Sequence, residues 1–196
     1  MQKKLINLIL ILISALLFAQ TSIAQQTDKK DEAVSFNPNA VTDTSKRSIK
    51  SAVNATIGNA TIRINYYSPG VRGRIIWGEL VPYGKIWVTG AHDATNIEVS
   101  KDFIIQGKEI PAGKYALFTI PGQDEWTVII NKNWNQHQAD KYDQEEDIIR
   151  FNVKPKLKKN GTERLQYFIE NIKRNKATIR LAWEKVQIQF DIKIKN

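Results

Sequence analysis

The sequence contains no cysteine. That excludes disulfide staples, a thiol nucleophile and a cysteine-linked lipid anchor. Histidine is almost as scarce: His92 and His137 are the whole supply. Other absences remove whole enzyme classes. No G-x-S-x-G elbow, phosphate-binding glycine loop or dinucleotide fingerprint occurs. Ser68, ahead of Pro69, has no context that marks a nucleophile. No pair of carboxylates can be assigned to glycoside hydrolysis, and Glu145, Glu146 and Asp147 read as a solvated acidic run. There is no internal repeat.

What is present begins with an export pattern. Lys3 and Lys4 are basic, Leu5 to Ala19 is apolar apart from Asn7 and Ser14, and Ser22-Ile23-Ala24 supplies small residues two apart. Residues 1–24 are therefore expected to leave as a secretory signal. The apolar run is shorter than the about 20 residues of a spanning helix, so no transmembrane segment is expected after cleavage. The expected location is the periplasm, or an extracellular or outer-membrane-associated one. The chain carries a net charge of +9, and loss of the two lysines leaves +7. Such a charge would suit nucleic acid. Export and the dispersal of the basic residues argue against that partner. The one cluster, Lys154, Lys156, Lys158 and Lys159 around Pro155, reads as a solvated loop.

Residues 25–47 have few apolar side chains and no period, as in a flexible polar leader. Residues 48–196 suit a single domain, large enough to bury about two-thirds of its unfolded surface without staples. The pattern there is β. Ile62, Ile64 and Tyr66 share a face, 96–100 and 103–106 are short strands, and Lys114 to Ile120 runs through Pro121-Gly122 to Trp126–Asn131 as a hairpin. Val186, Ile188, Phe190, Ile192 and Ile194 alternate with polar residues, the mark of an antiparallel strand wet on one side. Short helices are expected only around 75–80 and 138–146. The expected fold is all-β: an antiparallel β-sandwich, jelly-roll-like or related, with one or two short helices in its connections.

The densest unusual sequence runs from Tyr67-Ser68-Pro69-Gly70-Val71-Arg72-Gly73-Arg74 through Trp77-Gly78-Glu79-Leu80-Val81-Pro82-Tyr83-Gly84-Lys85-Ile86-Trp87 and Thr89-Gly90-Ala91-His92-Asp93. Pro111-Ala112-Gly113-Lys114-Tyr115-Ala116-Leu117-Phe118 and Ala177-Thr178-Ile179-Arg180-Leu181-Ala182-Trp183 follow. These strings resemble the domain of unknown function family 2911, which is common in exported bacterial proteins, over roughly 51–194. The resemblance implies no activity and carries over no catalytic residue. Where many members have an arginine this chain has Val88, and where many have an asparagine it has His92. The residues 134–140, Trp-Asn-Gln-His-Gln-Ala-Asp, form a second distinctive cluster.

Three candidate sites follow. The histidines have carboxylates nearby: Asp93 beside His92, and Asp140 three residues after His137. Imidazole with carboxylate suits zinc, iron or copper, or acid–base work. A divalent transition metal on His92, His137 and Asp140 requires the two segments to converge. The alternative is two hydrogen-bonded loop histidines. The second site is polar: Arg72, Arg74, Tyr83, Trp87, Thr89 and Asp93, with arginine forks for carboxylate or phosphate. Its alternative has the arginines paired with Glu79 or Asp93 to pin a long connection. The third is aromatic. Trp126 and Trp183 fall in phase with aliphatic neighbours and belong to the core, while Trp77, Trp87 and Trp134 are better placed for a binding surface.

The leading expectation is a non-enzymatic protein that binds a small polar ligand, glycan or envelope partner through the 72–95 connection and the 134–142 loop, without nucleic acid and without an evident cofactor. A metal-dependent hydrolase centred on His92 and His137, or a structural envelope protein, are the competing readings.

Overall fold

The computed structural model describes residues 37–41 and 45–195. The expected export signal, and the greater part of the expected leader, lie outside the described residues. Ten strands occur among those described. They are β1 (Ser48–Ile57), β2 (Ala60–Pro69), β3 (Asn96–Val99), β4 (Phe103–Ile105), β5 (Lys108–Ile110), β6 (Gly113–Ile120), β7 (Trp126–Asn131), β8 (Asp147–Val153), β9 (Lys156–Lys173) and β10 (Lys176–Ile194).

Two antiparallel sheets result, one in the order β1-β2-β3-β6-β7-β8 and one in the order β5-β4-β10-β9. Alternation decides which side chains meet between them. Ile62, Ile64 and Tyr66 from β2, Val128 and Ile130 from β7, and Ile179, Leu181, Ile188 and Ile192 from β10 are buried in one core. The expected sandwich is the fold that forms. β8 and β9 are consecutive, and the chain changes sheet between them at Lys154-Pro155. Proline has no N–H to give a ladder, which suits it to that corner.

Three local expectations need correction. Residues 75–80 form a turn instead of a helix. Gly78 sits at φ +90° there and donates to the Val81 carbonyl at 2.9 Å, which closes the chain more tightly than a helix would. Within 138–146 the helical content is a single 3-10 turn, Gln144–Glu146. The lysine cluster is also not a loop throughout. Lys156, Lys158 and Lys159 are exposed on β9, where Lys156 pairs with Gln187 and Leu157 with Val186. Upstream, Asn39 of the expected leader exchanges hydrogen bonds with the Arg164 backbone, at 3.1 and 2.7 Å.

Candidate functional site

The 70–95 connection closes the end of the sandwich where β2 finishes. It is fastened by backbone bonds, because a long connection has no ladder to satisfy its polar groups. Gly70 bridges Arg164, Gly84 donates to the Pro121 carbonyl at 2.8 Å, and Trp87 exchanges two bonds with Thr119 at 2.8 and 3.0 Å. Four indoles fill the space beneath it. Trp87 stacks on Trp183 at 5.8 Å and 20°, and Trp77 meets Trp87, Trp126 and Trp183 edge to face at 4.9–5.7 Å. Trp77 and Trp87 are thus partly buried core residues, and the Trp87 indole donates to the Gly90 carbonyl at 3.1 Å.

Arg72, Thr89 and His92 have φ of 52°, 54° and 57°. An L-residue gives up about 1–2 kcal/mol in that region, and a β-branched threonine is a marked outlier. Thr89 is held there from all sides. Its hydroxyl meets that of Thr119 at 3.1 Å, and its carbonyl accepts from Thr95 Oγ1 at 3.1 Å and from the Tyr167 hydroxyl at 2.9 Å. With 1% of its surface exposed, Thr89 faces the interior.

The arginines divide by role. The Arg74 guanidinium turns back onto the Gly70 and Val71 carbonyls. Glu163 caps the Arg72 amide at 2.9 Å and leaves its side chain outside. The ties expected to Glu79 or Asp93 do not form. A concavity of about 330 Å³ is lined by Arg47, Arg72 and Arg74. A neighbouring one of about 370 Å³ shares Arg72 and adds Asn39, Val41, Glu163 and Arg164. Among the described residues, the Arg47 and Arg72 guanidinium groups have no hydrogen bond or ion pair. Tyr83, 39% exposed, lies further along the same connection and packs on Gly78.

The two histidine segments do converge. Asp93 and His137 form an antiparallel bridge, Ala94 donates to the Gln136 carbonyl at 2.9 Å, and Gln138 donates to that of His92 at 2.6 Å. The paired loops cover a second apolar cluster of Val88, Ala94, Ala116, Phe118 and Ile129 on the outer face of β6 and β7. The rings have separate partners. His92 lies edge to face on Tyr67 at 4.9 Å, and His137 Nδ1 is 3.0 Å from Asp140 Oδ2 on an exposed surface. Among the described residues, no group of three or more His, Cys, Asp or Glu side chains is placed to hold a metal ion. Trp134 is 36% exposed, and the Lys114 ammonium lies 3.8 Å above its ring.

Beneath the second loop lies a network with no signal in the sequence. The Asp147 side chain is only 6% exposed. It accepts from Asn131 at 2.7 Å, from the Tyr142 hydroxyl at 2.7 Å and from Arg150 at 2.6 Å. Burial first, and then the bond to Asp147, push the Tyr142 phenol up to about 12. Asp147 therefore departs from the solvated acidic run expected of it. Its partners come from β7, the second loop and β8, a set that no spacing announces.

The model of a family described as "Protein of unknown function (DUF2911)" matches residues 48–192. No curated protein and no solved structure matches the chain.

Proposed function

We propose that this chain, which belongs to the DUF2911 family of proteins of unknown function, is an exported binding protein that holds a small polar anion at the start of its 72–95 connection. The observation that carries this reading is the concavity lined by Arg47, Arg72 and Arg74. Guanidinium is always charged, and its planar fork matches carboxylate and phosphate oxygens two at a time. Arg74 is already committed to the backbone and stiffens the turn, while Arg47 and Arg72 are available to a ligand. A rigid scaffold with available donors lowers the ordering cost of binding. The hydrolase alternative has less behind it. His92, His137 and Asp140 lie on paired loops, but among the described residues they belong to no three-ligand group.

The test is thermal protection by inorganic phosphate and by succinate. The wild type should gain melting temperature with either anion at low ionic strength. Arg47→Gln with Arg72→Gln should keep the fold and lose the gain. Arg72→Gly should also lose it while gaining about 0.5 kcal/mol of stability, since glycine relieves the left-handed strain and returns part of it as chain entropy. If the double variant is protected as well as the wild type, the site is wrong and the reading as a structural envelope protein gains.

A further inference from the structure

We propose that this end of the sandwich docks on an anionic lipid surface, so that the anion held by Arg47 and Arg72 is a lipid-borne phosphate. The inference rests on the anion site above and names its occupant.

The observation behind it is where the exposed apolar side chains fall. Among the described residues, the large hydrophobic side chains exposed by more than a third are Ile75, Leu80, Tyr83, Trp134, Leu157 and Ile172. Three of them lie in one short turn, which scatter alone does not favour. That turn sorts its residues by side. Ile76 and Val81 are buried and Trp77 packs on the core, while Ile75 is 62% exposed, Leu80 45% and Tyr83 39%. Backbone bonds hold the outward set together. Leu80 donates to the Ile75 carbonyl at 3.3 Å and Val81 to that of Ile76 at 2.8 Å. The Tyr83 ring lies close enough to Gly78 that a Cβ there would meet it at 3.1 Å.

Leu157, 82% exposed, projects at the same end. Arg164 of β9 bridges Gly70 at the finish of β2, so residues 156–163 extend beyond it. Lys156, Lys158 and Lys159 flank Leu157. The apolar turn follows Arg72 and Arg74 directly. The acidic side chains at this end are Glu79, Asp124 and Glu125, which are exposed, Glu184, which is half-buried opposite Thr162, and Glu163, which already accepts from the Arg72 amide.

Exposed apolar side chains with neighbouring arginines and lysines are unfavourable in water and complementary to a bilayer interface. Aliphatic and tyrosine side chains enter the headgroup–acyl boundary, and arginine and lysine meet the phosphates. A soluble anion alone would give Ile75, Leu80 and Leu157 nothing to cover them.

The experiment is sedimentation of the protein, in the processed form recovered from cells, with vesicles of phosphatidylcholine alone or mixed equally with phosphatidylglycerol. Any apolar N-terminal segment would act on both vesicle types, so the readout is the difference between them. The wild type should favour the anionic vesicles by about tenfold or more at low salt, and less as salt rises. Arg47→Gln with Arg72→Gln should remove the preference. Ile75→Ser with Leu80→Ser should weaken vesicle binding by about tenfold yet keep thermal protection by inorganic phosphate. Leu157→Ser provides a second apolar variant on a different strand, expected to weaken binding in the same direction. Equal binding to both vesicle types, or full vesicle binding by the serine variants, overturns the inference. Phosphate protection without vesicle preference overturns it and leaves the anion site standing. Loss of both in the wild type removes both.

Discussion

Tyr66 and Tyr167 meet edge to face at 4.8 Å inside the sandwich. Burial pushes the Tyr66 phenol up to about 12, partly offset by bonds from the Tyr167 amide and the Ser51 hydroxyl, and pushes Tyr167 well above its ordinary value of 10.0. A phenolate there would lose its hydration. Above pH 10 the unfolded tyrosines release protons and the folded ones keep theirs. The native state then binds more protons, so stability falls as pH rises. The contribution is complete below pH 10 and is lost as pH climbs through the folded values. The expected slope between pH 10 and 12 is at most about 1.4 kcal/mol per pH unit for each tyrosine. Urea titrations at stepped pH should show it, and Tyr66→Phe should lower the slope even if it costs some stability at pH 7. Residue by residue, the sequence was a good guide to Ile62, Ile64 and Tyr66, whose period of two is written in the chain. It was a poor guide to Thr89. A polar residue in an irregular segment reads as surface, and only its left-handed backbone turns the hydroxyl inward to Thr119.

The tryptophan cluster is where the elements meet: β7, β10 and the long connection each contribute. Trp126 and Trp183 belong to the core, as their phase among aliphatic neighbours implies, and are each 1% exposed. Trp77 and Trp87 come from irregular chain, and what buries them is the closure of the sandwich end. Their indole N–H groups differ. That of Trp87 reaches the Gly90 carbonyl, while those of Trp77 and Trp183 are buried without a partner among the described residues. An unpaired buried donor costs about 1–3 kcal/mol, and a made bond contributes about 0.5–1.5. Trp87→Phe should therefore destabilise the domain by about 1.5–4.5 kcal/mol more than Trp77→Phe. Denaturant titration of the two variants measures the difference. Trp87→Phe should also remove the near-ultraviolet circular dichroism of the Trp87–Trp183 stack. At this scale the short helix expected over 75–80 gave way to a turn, because Gly78 at φ +90° and the bond to Val81 reverse the chain. β8 alternates Ile149, Phe151 and Val153 with Arg150 and Asn152, but the run is short and abuts the acidic 145–147 stretch, which reads as solvated loop.

For the whole molecule, net charge is the quantity the sequence sets. The export reading predicts that protein recovered from the periplasmic fraction begins at Gln25, with net charge +7 after loss of Lys3 and Lys4. N-terminal sequencing or intact mass checks it, and recovery of chain still beginning at Met1 in the cytoplasm would sink it. The family and the all-β class were also legible, since strings such as Pro111–Phe118 and the alternation over 186–194 are contiguous in the chain. Contiguous signals survive without coordinates, because strand period and turn chemistry act between near neighbours. Convergence does not. The pairing of the His92 and His137 segments, the Asp147 network and the gathering of Arg47 with Arg72 join residues far apart in sequence. They depend on which strands pair and how the long connection folds back. The histidine loops meet because both must cover the outer face of β6 and β7. Local physics fixed what each segment is, and the burial of those faces decided which segments came together.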